Sequence, residues 1–129
     1  MIIYNKLIRD RIPEIIKDDN KLCEVRILDN SEFSREVYRK LLEEMTELSN
    51  ASSRDEIINE MADIHELLDT LRDIHNIHLN EVLTKQISKG LTNGKFERKL
   101  FLISVGEKEW IYEWIHSTLA FSNRTNEQW

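Results

Sequence analysis

The segments LLEEMTEL (Leu41–Leu48) and EMADIHELL (Glu60–Leu68) each combine the apolar spacing of a helix with a cluster of acids. Around the first, Phe33, Val37, Tyr38, Leu41, Leu42, Met45 and Leu48 recur every three or four residues, which predicts an amphipathic helix from about Ser31 to Leu48. Ile57, Met61, Ile64, His65, Leu68, Leu71 and His75 keep one face for a second helix. Between them SNASSRDE interrupts the pattern, and Ser53 with Glu56 forms a capping box at the start of the second helix. The short connection predicts antiparallel packing.

On these helices the acids are not spread over a solvated face. Lys40, Glu43, Glu44 and Glu47 form one stripe, and Glu44 borders the apolar side. Glu60 falls inside an apolar stripe, among Ile57, Ile64, Leu67 and Leu71, with Asp63 beside it. Glutamates at i, i+3 and i+4 repel by a few tenths of a kcal/mol per pair, roughly. An unpaired carboxylate on a buried face costs far more, on the order of several kcal/mol. In a chain with 24 Asp and Glu, one acidic run on a helix is commonplace; the second pair, with Glu60 on its apolar side, sets this chain apart. Lys40 neutralises one of the five charges, and about two divalent cations would supply the rest. An all-oxygen donor set suits magnesium or manganese and not zinc.

The 129 residues form about one domain; with 40% hydrophobic and 33% charged residues, three glycines and one proline, they describe a helix-rich globular chain. The net charge of -6 argues against nucleic acid as the main partner. The single cysteine, Cys23, has no intrachain disulfide partner and is expected to be a small buried residue. With no apolar signal core and no long apolar run, a soluble cytoplasmic protein without a membrane partner is expected. Asn123 lies in an NRT glycosylation pattern, which matters only in a secreted chain.

Elsewhere, RDRIPEIIKDDN predicts a short helix that tolerates Pro13 in its first turn, and LCEVRIL reads as a short extended segment or strand. A further helix is expected from about Leu79 to Lys89, closed by Gly90, followed by a turn at Asn93-Gly94. FLISV reads as extended chain or a helix tail. In EKEWIYEWIHSTLAF, Trp110, Ile111, Trp114, Ile115 and Thr118 share one helical face.

The pattern EExxE, twelve intervening residues, then ExxD resembles the motif of the all-α nucleoside triphosphate pyrophosphohydrolases, the superfamily of MazG, dimeric dUTPase and phosphoribosyl-ATP pyrophosphohydrolase. Here it comprises Glu43, Glu44, Glu47, Glu60 and Asp63. YNKLIRDRIPEII near the start and GKFERKLFL further on are similar to segments of the MazG-like subgroup. The resemblance spans about residues 1–103, leaving 104–129 as a C-terminal extension of open role. It implies an antiparallel helical bundle completed as a homodimer or homotetramer, and magnesium-dependent attack of water between the α and β phosphates, giving a nucleoside monophosphate and pyrophosphate. Glu44, Glu47, Glu60 and Asp63 would then be the principal metal ligands, and Glu43 would ligate through water or orient the nucleophile.

A polyphosphate also calls for fixed positive groups, and the candidates are Lys6, Arg9, Arg11, Lys40, Lys95 and Arg98. His65 and His75 fall on the apolar face and are expected to be packed or interfacial, because a hard cation prefers oxygen. Two other functions fit the same residues. One is a helical interaction or regulatory protein without catalysis, and the other is a hydrolase of a phosphoribosyl-nucleotide.

Overall fold

The computed structural model describes residues 1–107, and within them the chain forms helices and no strand. The helices are α1 (Ile12–Asp18), α2 (Asn30–Asn50), α3 (Arg54–Ile74) and α4 (Leu79–Asn93). The expected all-α class holds for these residues. The chain divides into two compact units, Met1–Val82 and Leu83–Trp129.

In the first unit, α1 is short and carries its proline in the opening turn, where the missing N–H would have had no helical partner anyway. The start of α2 is set by a capping box that the sequence reading did not single out. The Asp29 carboxylate accepts from the Glu32 backbone N–H, and the Glu32 carboxylate accepts from the Asp29 backbone N–H. Arg26 grips the same Glu32 side chain with two nitrogens, at 3.0 and 3.3 Å, so the chain before α2 is tied to its first turn. This arrangement holds the Glu32 carboxyl below the usual range, through the Arg26 hydrogen bond first and the Asp29 N–H next.

At the start of α3, Ser53 caps as expected, its hydroxyl accepting from the Glu56 N–H at 3.1 Å. The return bond differs from the usual box: the Glu56 carboxylate accepts from the N–H of Ser52 at 2.8 Å. Residues 51–53 make the connection, and α2 packs on α3. The packing is antiparallel. Tyr38, early in α2, shares a 3.1 Å hydrogen bond with His75, which caps the end of α3, whereas Glu44, further along α2, meets Glu60 in the first half of α3.

The apolar core of a single chain is thin. Among the described residues only Val37 is a fully buried hydrophobic residue, and the other buried residue is Glu44. Two packed helices each cover one side of the other, and Leu42, Met45, Ile58, Met61 and Leu68 remain exposed on α2 and α3.

Several local expectations need correction. LCEVRIL forms no strand, since the described residues offer no neighbouring strand to pair with it. Gly90 does not end α4. The helix continues to Asn93, and the left-handed residue after it is Gly94, at φ 82°, whose N–H bonds the Gly90 carbonyl at 3.1 Å. Cys23 is exposed, because the segment that carries it lies outside the helical packing. His65 and His75 are exposed in the single chain and not packed inside it, which leaves the interfacial alternative. Residues 101–107, which include FLISV, have no regular structure. The aromatic helix expected around Trp110 and Trp114 lies outside the described residues.

Candidate metal centre

Glu44 and Glu47 sit three residues apart on α2, and Glu60 faces them from α3. Each offers one carboxylate oxygen, and the three oxygens lie within 4.8 Å of one another. Glu44 is buried at 4% exposure, Glu60 is half-buried and Glu47 is exposed. The centre is therefore closed on the inside and open at Glu47.

Two oxygens in this group, Oε2 of Glu44 and Oε2 of Glu60, are buried and have no hydrogen-bond donor. Carboxylates facing each other have only lone pairs to offer, so either a proton or a cation has to lie between them. The ionisation of the pair is what a shared proton gives. The Glu60 carboxyl is pushed up to about 7, first by sharing a hydrogen bond with Glu44 and second by burial, with Glu47 adding like-charge repulsion. Glu44 moves the other way: burial opposes its ionisation, but the hydrogen bonds from Glu60 and Lys40 outweigh that and hold it below the usual carboxylate range.

Lys40 is the internal counter-charge. Its Nζ is 3.1 Å from Glu44 and 3.3 Å from Glu43, one helical turn along α2. Burial alone would lower its pKa, but the bonds to Glu44 and Glu43 more than offset this and raise it, so the ammonium stays charged. Glu43 is thus held by Lys40 and stands outside the converging triad. Asp63 is also outside it. Its Oδ1 accepts from Arg9 Nη2 at 2.6 Å, across fifty-four positions of sequence. Of the five acids, the fold draws three together and gives each of the other two a basic partner.

Beside the triad a cleft of about 280 Å³ runs between Tyr4–Leu7 and the α2 face carrying Glu36, Arg39, Lys40 and Glu43. Lys40 lines this cleft and also bonds Glu44, so it joins the cleft to the triad. Lys6 belongs to the cleft, with its Nζ 5.4 Å from the centre of the Tyr4 ring. Arg11 instead pairs with Glu14 on α1 at 3.2 Å. Lys95 and Arg98 belong to the second unit. Arg39 and Tyr4 line the cleft without having been singled out in the sequence. The RK dipeptide ahead of the acids is a signal for Arg39; nothing local marks Tyr4.

The donor set is all oxygen, and two of its buried oxygens lack donors. It therefore fits a hard divalent cation, with Glu44, Glu47 and Glu60 as the residues to hold it. Comparison with family models, curated proteins and solved structures found no match to this chain. Among the described residues no helix is long and apolar enough to cross a membrane.

Proposed function

We propose that this chain is a magnesium- or manganese-dependent nucleotide pyrophosphohydrolase, cleaving between the α and β phosphates of a nucleoside triphosphate. The observation that carries the reading is the convergence of three carboxylates from two helices on buried oxygens without donors. The resemblance of the acid motif and its two flanking segments to the MazG-like enzymes supplies the substrate class.

In this reading Glu44, Glu47 and Glu60 hold the cation, and Lys40 keeps Glu44 ionised and aimed. A bound divalent ion would neutralise phosphate oxygens and lower the pKa of water, the two things a site built from carboxylates needs before it can act on a polyanion. Lys6, Arg39 and Lys40 line the adjoining cleft; a phosphate tail would engage Lys6 and compete with Glu36 for Arg39 and with Glu43 and Glu44 for Lys40. Glu43, held by Lys40, would ligate through water or orient the nucleophile, as the resemblance implies. At about 280 Å³ the cleft lies below the usual range for a whole small-molecule ligand, so base and sugar extend beyond it.

A homodimer or homotetramer completes the fold in this proposal. Its support is the thin core of the single chain and the exposed apolar residues on α2 and α3. Incubation with a panel of nucleoside triphosphates should release pyrophosphate only when magnesium or manganese is present. The paired substitution Glu44→Gln with Glu60→Gln should cut that release by at least about 100-fold. Release that does not need metal, or that survives the paired substitution, would refute the proposal.

A further inference from the structure

The bond between Arg9 and Asp63 has more in it than a staple. Asp63 lies one helical turn beyond Glu60 on α3, on the same side of the helix. It stands outside the converging group, and the Arg9 guanidinium holds its Oδ1 at 2.6 Å. Both side chains are partly exposed, 58% for Arg9 and 31% for Asp63, so the pair is held by a weak, exchangeable interaction. The Arg9 backbone is steadier, because its carbonyl accepts from the Ile12 N–H at 3.1 Å at the entry to α1. Before it, the chain bends at Asn5, in the left-handed region at φ 45°, and Tyr4–Leu7 line the cleft against α2. Arg9 is thus a cation on a short tether, bonded to the triad's neighbour and two residues along the chain from the segment that lines the cleft.

We propose that Arg9 stands in for a cation at Asp63, keeping that carboxylate out of the triad until a divalent ion arrives and then turning to the anion that the ion brings. The inference rests on the metal-centre reading above. With a divalent ion held by Glu44, Glu47 and Glu60, the Asp63 carboxylate would be drawn toward the triad and the Arg9 guanidinium driven from it, which would free Arg9 for an anion. A guanidinium can make this exchange because its fork of N–H donors fits carboxylate and phosphate alike. Arg9 is then a positioning residue that couples ion binding to anion binding.

The test is titration calorimetry of the full chain with Mn²⁺ alone, then of the Mn²⁺-loaded protein with inorganic pyrophosphate, for the unaltered chain and for Arg9→Gln. The expected result is a crossed pair of effects. Arg9→Gln binds Mn²⁺ about two- to fivefold more tightly, the size of a part-exposed ion pair, and binds pyrophosphate about fivefold more weakly. The gain for Mn²⁺ disappears when Asp63→Asn is already present. Unchanged or weaker Mn²⁺ binding in Arg9→Gln, as a simple staple would give, overturns the inference while the metal centre stands. Absence of Mn²⁺ binding by the unaltered chain overturns both. Should Arg9→Gln fail to fold by circular dichroism, Arg9→Lys keeps the charge without the fork; it should bind pyrophosphate more weakly, and equal binding overturns the inference.

Discussion

Glu44 on α2 and Glu60 on α3 face each other with a buried oxygen on each side and no donor to satisfy either. Their ionisation moves in opposite directions, with Glu60 raised to about 7 and Glu44 lowered. These opposed shifts are what one proton shared between the two carboxyls produces, and a cation bound between them would have to displace it.

That displacement makes metal binding depend on pH. Below about 7 Glu60 holds its proton, and each bound ion must release it; above about 7 the carboxylate is already free. Mn²⁺ affinity should rise as pH increases through that value, with protons released on the acid side. Calorimetry in two buffers of different ionisation enthalpy measures the release, and in Glu60→Gln it should vanish.

Stability without metal should run the opposite way. Because the folded Glu60 pKa lies above its ordinary value of 4.5, its contribution is complete below that value and is lost as pH rises to about 7 and beyond. In EDTA the melting temperature should fall across this window, and the fall should shrink in Glu60→Gln. The lowered Glu44 pKa gives a separate loss, on acidification below the usual carboxylate range. Thermal melts at closely spaced pH values in EDTA and in magnesium separate the two.

Lys40→Met should leave Glu44 as a buried carboxylate without its cation. Lys40 and Glu44 are mostly buried, at 21% and 6% side-chain exposure, so the loss should be about 1–3 kcal/mol in urea unfolding without metal. Magnesium should recover part of it, since an ion at the triad supplies the missing positive charge. Loss of the same size with and without magnesium would show that Lys40 acts only in packing.

The exposed apolar residues give a concentration-dependent prediction. Leu42 is 67% exposed on α2, and in the proposed assembly a second copy covers it. Sedimentation of the unaltered chain should show a dimer or tetramer, and Leu42→Asp should shift it toward monomer with a lower melting temperature. A monomeric unaltered chain at every concentration would contradict the assembly.

The amino-acid sequence by itself determined α2 and α3, because apolar spacing and the Ser53 cap act within a few residues of chain. The same locality placed Lys40 beside Glu43 and Glu44 and set Glu60 on an apolar side. It misled at Gly90, where a glycine able to end a helix lies inside one, and the left-handed position falls at Gly94. Only the tertiary structure decided which acids converge. Glu43, Glu44 and Glu47 share one stripe on a wheel, with Glu44 at the apolar border, but the packing of α2 on α3 brings Glu44 and Glu47 together with Glu60, while Lys40 holds Glu43. Asp63 is claimed by Arg9 from fifty-four positions away. The proton on Glu60 likewise depends on a neighbour from another helix, since a carboxyl's pKa responds to whatever charge and water the packing leaves around it.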